Sequence, residues 1–319
     1  MSSKFAKRFI LFLALIMVVN YALDRAFKSL SVFIALNEMT DAQFAEYNDT
    51  LKYLAMGNSH NCINTRILEN SFNYGSPSEN YVQTYYKLKN VLESSGKKPE
   101  YLLLQADISS YGPKISDRYE YNSYWIKYIN YFELARIKHS RDIFSKWAEG
   151  RFFSYLGNYK DIQLSIFYRI KIKKVEMYHG YRPHRDYRNY ATVPDKQKVA
   201  YNTASTYLTR GIYFDPAIRT YFKMIMDICQ KNGVKVVLIR YPMTREFNVE
   251  EANFVPVAKL YKEVDEITNG YPVYQGILDY HDQFNNHPDY FFDPDHLNIK
   301  GADIFTTQLV KDLKNFQSK

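Results

Sequence analysis

The stretch LKYLAMGNSHN, residues 51–61, gives the clearest indication of the fold. A short apolar run ends at Gly57, as is typical of a buried strand in a parallel sheet. Asn58, Ser59 and His60 follow, where a tight turn is expected. Ser59 therefore lies at the carboxyl end of the predicted strand, where it either caps the next helix or acts as a nucleophile.

The rest of the chain predicts alternating strands and helices. Further strands are predicted for residues 100–107, 234–242 and 273–278. Helices are predicted for residues 61–70, 77–95, 216–233, 255–268 and 301–313. Ser76 is the predicted cap of the second helix, with Glu79 completing a capping box. This alternation predicts an α/β fold, in a flavodoxin-like three-layer α/β/α arrangement around a parallel sheet.

The N-terminus has the features of a targeting segment. Lys4, Lys7 and Arg8 precede an uncharged apolar stretch from Phe9 to Leu23, which is the pattern of an export signal. No A-x-A cleavage site follows, so we expect an uncleaved signal anchor in the cell membrane and an extracytoplasmic catalytic domain. A cleaved signal peptide, leaving a secreted or periplasmic protein, and a buried helix of a cytosolic protein are the alternatives.

Three regions are expected along the chain. Residues 1–24 form the basic end and the anchor, residues 25–50 a connector, and residues 51–319 the α/β domain. Within that domain, residues 111–213 lack the alternation and are crowded with aromatic and basic side chains. We interpret them as a largely helical insertion that serves as a substrate lid or a membrane-facing surface, or as a solvated decoration without function.

Composition narrows the classes of partner. The 46% hydrophobic and 24% charged residues predict a globular protein. A net charge of +8 favours anionic partners such as lipid headgroups or anionic glycans. No nucleic acid is expected, because the chain has no zinc-finger spacing, phosphate-binding glycine loop or clean basic helix. No cofactor or metal is expected either, since the histidines and aspartates of residues 281–296 match no standard ligand spacing.

A base for Ser59 is predicted near the C-terminus, in the sequence Asp293-Pro294-Asp295-His296. A carboxylate three residues before a histidine can hold the ring at Nδ1 and leave Nε2 to accept the serine proton. Asp293 is the preferred orienter of His296. Asp295 is its rival, although its spacing is expected to leave it pointing elsewhere. The G-x-S-x-G nucleophile elbow is absent.

With these residues the chain resembles the SGNH (GDSL-like) hydrolase superfamily over residues of about 51–110 and 215–317. The resemblance rests on Gly57 to His60 for the serine block, on Asn73-Tyr74-Gly75 for the second block and on Asp293 to His296 for the D-x-x-H block. It implies Ser59 as nucleophile, His296 as general base and Asp293 as orienter. It also implies that the backbone N–H groups of Ser59 and Gly75 form the oxyanion hole.

The third block departs from the family. Where the family presents G-x-N-D, this chain reads Gln105-Ala106-Asp107-Ile108, which has no asparagine to donate a third oxyanion bond. Ser109 or Ser110 is a candidate substitute.

The anchor, the serine block and the large insertion resemble extracytoplasmic proteins that acylate or deacylate cell-envelope polymers beside membrane-bound O-acyltransferases. We therefore expect an acetyl-type serine esterase or O-acyltransferase that acts on an envelope polysaccharide, with such an acyltransferase as a candidate partner. A non-catalytic SGNH-like envelope protein and a lipase-like hydrolase of lipids are the alternatives. Candidate substrate contacts are Asn58, His60, Arg240 and Tyr241.

Overall fold

A computed structural model describes most of the chain. The described residues are 3–30, 32–48, 50–112, 123–137, 143–152, 155, 176–183 and 189–317. They divide into two compact units, of which the first spans residues 1–41 and 123–175 and the second residues 42–122 and 176–319. Parts of the insertion predicted at residues 111–213, in particular 156–175, lie outside the described residues.

The helices and strands have the following bounds. The helices are α1 (Ser3–Leu30), α2 (Val32–Glu46), α3 (Tyr81–Ser94), α4 (Tyr131–Ile137), α5 (Ile143–Phe152), α6 (Lys196–Tyr207), α7 (Pro216–Asn232), α8 (Arg245–Phe254), α9 (Val257–Thr268) and α10 (Ile299–Gln317). The strands are β1 (Tyr53–Met56), β2 (Ser71–Asn73), β3 (Tyr101–Gln105), β4 (Lys235–Arg240), β5 (Tyr274–Asp279), β6 (Phe291–Asp293) and β7 (His296–Leu297).

The first unit contains α1, which is long and apolar enough to cross a membrane. The predicted apolar stretch from Phe9 to Leu23 lies within this helix, and the helix extends beyond it at both ends. Within the same unit, the Tyr155 hydroxyl donates to Asn20 Oδ1 at 2.7 Å, which satisfies the oxygen of the one side-chain amide in that stretch.

The second unit is built on a sheet of five parallel strands in the order β2-β1-β3-β4-β5. The predicted α/β class with a parallel sheet is therefore confirmed. Strands β1 and β3 are buried along their whole length, which explains their uninterrupted apolar sequences. Because Met56 pairs with Leu104, and Gln105 with Ile239, the carboxyl ends of β1, β3 and β4 meet at one edge. Strands β6 and β7 form a separate antiparallel pair.

The helix predicted for residues 61–70 is wrong, since the chain makes turns there. Side-chain amides satisfy backbone groups that a helix would have paired. Asn73 Nδ2 donates to the carbonyls of Asn61 and Ile63, and Asn64 Oδ1 accepts from the Arg66 N–H at 3.0 Å. No helix begins at Ser59, so Ser59 is not a helix cap.

The predicted start of α3 is also wrong. The helix begins after Asn80, whose capping box uses Gln83 rather than Ser76 and Glu79. The helix predicted for residues 216–233 is confirmed: Asp215 caps α7 and Gly233 ends it in the left-handed region. At the start of α10, Asn298 Oδ1 accepts from the Gly301 N–H at 3.0 Å.

Gly57 supports a testable prediction about the turn after β1. Its φ is +151°, and a Cβ there would lie 2.4 Å from Gln105 Oε1. Gly96 has a φ of +69° but no atom within 4 Å of its Cβ position. We expect Gly96→Ala to cost about 1 kcal/mol through the backbone alone. Gly57→Ala should cost about 2–4 kcal/mol, since a collision is added to the strain.

Thermal unfolding of the detergent-solubilised full chain measures both losses. Equal losses for the two variants would contradict the tight fit of Gly57 against Gln105.

Candidate active site

The turn that presents Ser59 is held by the side chain of Gln105 at the end of β3. Gln105 Oε1 accepts from the Asn58 N–H at 2.6 Å, and Gln105 Nε2 donates to Asn58 Oδ1 at 2.8 Å. Asn58 Oδ1 also accepts from the His60 N–H at 2.9 Å. Asn58 is buried and its side chain bonds within the protein, so the structure places it as a support of Ser59 rather than in a substrate contact.

Ser59, His296 and Asp293 are brought together at the carboxyl edge of the sheet. Ser59 Oγ lies 2.8 Å from His296 Nε2, although the two residues are 237 positions apart. His296 Nδ1 lies 2.8 Å from Asp293 Oδ1, and the same oxygen accepts from the His296 backbone N–H at 2.9 Å. This double contact closes the turn between β6 and β7 and orients the ring.

Asp295 also contacts His296, so the expectation that it points elsewhere is wrong. Its Oδ1 lies 3.0 Å from His296 Nδ1, and its Oδ2 lies 3.1 Å from His60 Nε2. The Asp295 side chain is 1% exposed, whereas that of Asp293 is 29% exposed. The spacing in the sequence does not predict the contact between Asp295 and His296, because the turn brings both carboxylates to the same ring nitrogen.

His60 lies beside His296, with the two ring centres 4.9 Å apart, and its side chain is buried. Its side chain is 4% exposed, and its Nδ1 lies 3.0 Å from Asp107 Oδ2. Asp107 follows β3 by two residues. Its Oδ1 accepts from the Tyr241 N–H at 2.7 Å, which ties the end of β3 to the end of β4.

Charges in this cluster shift one another's pKa values. Burial acts to lower the pKa of His60, but hydrogen bonds to Asp107 and Asp295 outweigh it and raise the pKa to about 9. Burial likewise opposes the charged form of His296, and Asp293 and Asp295 still raise its pKa well above the ordinary value. The pKa of Asp295 is held well below its usual range against burial, because two imidazoles face it. Burial raises the pKa of Asp293.

The backbone N–H groups that the resemblance assigns to the oxyanion hole differ in whether they already donate a hydrogen bond within the described part of the chain. The Ser59 N–H has no hydrogen-bond acceptor within the part of the chain that the structure describes. The Gly75 N–H donates to Asn73 Oδ1 at 3.1 Å. A Cβ at Gly75 would lie 3.0 Å from Asn61 Nδ2, so the Asn61 side chain packs directly against this glycine. The Ser109 hydroxyl is buried and lacks a partner among the described residues.

Arg240 and Tyr241 are not brought to Ser59. Arg240 pairs with Asp279 at 2.5 Å and stacks on the ring of Tyr261. The Tyr241 hydroxyl donates to Asn61 Oδ1 at 2.9 Å. Arg240 and Tyr241 are adjacent in sequence, so their side chains point to opposite faces of the sheet. Each therefore stabilises a different face at this edge. Asn61 was not singled out in the sequence, where only its place two residues after Ser59 could have drawn attention to it.

The donor atoms of His60, Asp295 and His296 lie within 4.8 Å of one another, a spacing that also occurs in metal sites. Each ring nitrogen of the two histidines already lies within hydrogen-bond distance of a carboxylate oxygen or of Ser59 Oγ. A metal would have to displace these contacts, and we therefore assign no metal ligand here.

A buried lysine holds the loop that contains Gly75. Lys87 Nζ on α3 donates to the Tyr74 carbonyl and to Ser76 Oγ, on either side of Gly75. It also pairs with Glu79 at 2.7 Å, and both side chains are 1% exposed or less. The pair therefore anchors the loop that faces Asn61 and the turn after β1.

We expect Lys87→Met to cost about 3–5 kcal/mol, because it leaves the Glu79 carboxylate buried and unpaired. The double variant Lys87→Met with Glu79→Gln should recover part of this loss. Lys262→Met, in the exposed pair with Glu266, is the control and should leave the midpoint of thermal unfolding unchanged. Thermal midpoints of the full chain measure all three, and a loss for Lys87→Met no larger than that of the control would contradict the assignment.

The comparisons with known proteins do not identify a family for this chain. No protein-family model matches the chain, and no curated protein sequence matches it significantly. We therefore argue the chemistry of the site from its own atoms, and the resemblance to SGNH hydrolases rests on the motifs quoted above.

Proposed function

We propose that this protein is a serine esterase or O-acyltransferase that forms an acyl-enzyme on Ser59. The observation that supports this most directly is the pair of 2.8 Å contacts from Ser59 Oγ to His296 Nε2 and from His296 Nδ1 to Asp293 Oδ1. A nucleophile, a base and an orienter in this order activate a serine hydroxyl for acyl transfer. Ser59 and His296 are half-buried, so substrate can reach the reacting atoms.

The chemistry takes two steps. Ser59 Oγ bonds to the acyl carbonyl carbon while its proton passes to His296 Nε2; the bond to the leaving oxygen then breaks, and that oxygen takes the proton. In the second step an acceptor hydroxyl gives its proton to Nε2 while its oxygen bonds to the acyl carbon. The bond from that carbon to Ser59 Oγ then breaks, and Oγ takes the proton back from Nε2. Water as the acceptor gives hydrolysis, and a bound sugar hydroxyl with water excluded gives transfer.

The Ser59 N–H is the first donor to the oxyanion in this proposal. A preorganised donor of this kind lowers the barrier by about 3–4 kcal/mol in comparable sites. The Gly75 N–H joins it when it releases Asn73 Oδ1, its acceptor at 3.1 Å in the present state.

The substrate that we propose is a cell-envelope polysaccharide or related acylated polymer, with an acetyl-type group. The apolar helix α1 and the basic residues Lys4, Lys7 and Arg8 before its apolar stretch support a membrane anchor with the catalytic unit outside. A membrane-bound O-acyltransferase is the proposed partner. We also propose the flavodoxin-like three-layer arrangement, which the strand order 2-1-3-4-5 supports.

A non-catalytic envelope protein that binds glycan or docks on an acyltransferase is the second candidate. The observation that favours it is the engagement of the Gly75 N–H by Asn73, which leaves the oxyanion hole incomplete in this state.

Labelling with a fluorophosphonate, which reacts with activated serines, tests the proposed nucleophile. We expect the wild-type full chain to be labelled, Ser59→Ala to be unlabelled, and His296→Ala to react at least about 10³-fold more slowly because no base accepts the proton. Ser205→Ala, on α6, is the control and should react like the wild type. Equal labelling of all four proteins would exclude Ser59, and no labelling of the wild type would favour the non-catalytic candidate.

The pH dependence of labelling follows from the charges around His296. His296 accepts a proton only in its neutral form, and two carboxylates raise its pKa well above 6.5. The rate should therefore rise with pH through a midpoint above 6.5, and Asp293→Asn should move that midpoint to lower pH by removing one negative charge. A midpoint at or below 6.5, or an upward shift for Asp293→Asn, would contradict this account.

A further inference from the structure

The proposed mechanism uses Ser59, His296 and Asp293, and it leaves His60 and two buried carboxylates without a role. His60 Nδ1 lies 3.0 Å from Asp107 Oδ2, and His60 Nε2 lies 3.1 Å from Asp295 Oδ2. The ring thus bridges two carboxylates that are themselves 0% and 1% exposed.

The two contacts with carboxylates indicate how many protons the His60 ring carries. A neutral imidazole has one N–H and one lone pair, so one of its nitrogens would point a lone pair at a carboxylate oxygen. Gln105 cannot relieve that contact, because its Nε2 already donates to Asn58 Oδ1 at 2.8 Å and to Asp107 Oδ2 at 2.7 Å. Two N–H groups on His60 satisfy both carboxylates with charge-assisted hydrogen bonds.

The electrostatics agree with the geometry. Complete burial disfavours a charged imidazole, yet the two carboxylates raise the pKa of His60 to about 9. The geometry and the electrostatics both favour an imidazolium at His60 across the neutral range.

We propose that His60 is a permanently charged positioning residue that ties Asp295 to Asp107 and offsets one of the two carboxylates around His296. Asp295 shares its Oδ1 with His296 Nδ1 at 3.0 Å, and its second oxygen is held by His60. The ring centres of His60 and His296 are 4.9 Å apart. At this distance the positive charge opposes protonation of His296, and the base becomes neutral at a lower pH than two carboxylates alone would allow.

The titratable groups around His60 and His296 are either carboxylates that face the two rings or groups that stay neutral. The charged groups that face the two rings are Asp107, Asp293 and Asp295. Tyr190 interacts with Asp293 and with Glu246, and burial raises its pKa, so it stays neutral. The groups that interact with Asp107 also stay neutral because burial raises the pKa of each; they are Cys62, Tyr81, Tyr111, Tyr241 and Tyr261.

The protonation of His60 is tested without any assay of activity. The full chain, labelled with ¹⁵N-histidine in detergent micelles, contains seven histidines. The His60 signals, assigned by their loss in His60→Gln, should show two protonated ring nitrogens from about pH 5 to 8. A neutral tautomer at pH 7 would overturn the proposal.

The effect on His296 is tested by its titration in variants. His60→Gln should raise the midpoint of His296 by about one pH unit, since a neighbouring positive charge is lost. His281→Gln is the matched control, because His281 is likewise buried and lies 2.8 Å from a carboxylate, that of Glu251, but outside this cluster. It should leave the midpoint unchanged. An unchanged or lowered midpoint in His60→Gln would overturn the proposal.

Asp107→Asn provides a second variant on the far side of His60. It removes a negative charge while Asp295 still holds the imidazolium, so it should lower the His296 midpoint, in the direction opposite to His60→Gln. A rise of the His296 midpoint in Asp107→Asn would overturn the proposal.

The catalytic consequence rests on the proposed function, while the charge state does not. In an active enzyme, the acid limb of fluorophosphonate labelling should move upward in His60→Gln together with the His296 titration. If Ser59 proves unreactive in the wild type, the proposed function fails, and the ¹⁵N titrations still decide the role of His60.

Discussion

The two hydrogen bonds between the Gln105 side-chain amide and Asn58, one to its backbone N–H and one to its side-chain oxygen, are the contacts on which the candidate site depends. They join the ends of two strands across 47 positions of sequence and leave no room for a side chain at Gly57. Asn58 in turn accepts from the His60 N–H, which defines the turn that places Ser59. Without this contact the loop after β1 would have to find other partners for several buried polar groups, at about 1–3 kcal/mol for each one left unpaired.

The second constraint is charge balance beneath the reacting atoms. Three carboxylates, Asp107, Asp293 and Asp295, surround two imidazoles; Asp107 and Asp295 are buried and Asp293 is partly exposed. Buried carboxylates persist only when they are paired and hydrogen-bonded. His60 contacts two of them, Asp107 and Asp295, and His296 contacts Asp293, Asp295 and the Ser59 hydroxyl. In our proposals the first imidazole is a charged positioning group and the second is the base.

Sequence reasoning predicted the strands and several helix ends because their signals are local. Apolar runs predicted β1, β3 and β4, and the helix predicted for residues 216–233 matches α7, which Asp215 and Gly233 bound. It failed for residues 61–70, where asparagine side chains take the backbone partners that a helix would need. It also misplaced the start of α3, because Glu79 pairs with Lys87 instead of capping. Neither competing contact can be read from residue spacing.

For the site, the sequence by itself determined which residue types stand at the strand ends: a serine after Gly57, and a histidine with two aspartates near the C-terminus. The tertiary structure alone decided how they pair. It placed Asp295 on His296 and buried His60 between Asp107 and Asp295. The physical reason is that hydrophobic periodicity and turn chemistry act over a few residues. Hydrogen bonds between residues more than 200 positions apart depend on strand register and on the fold of the last loop.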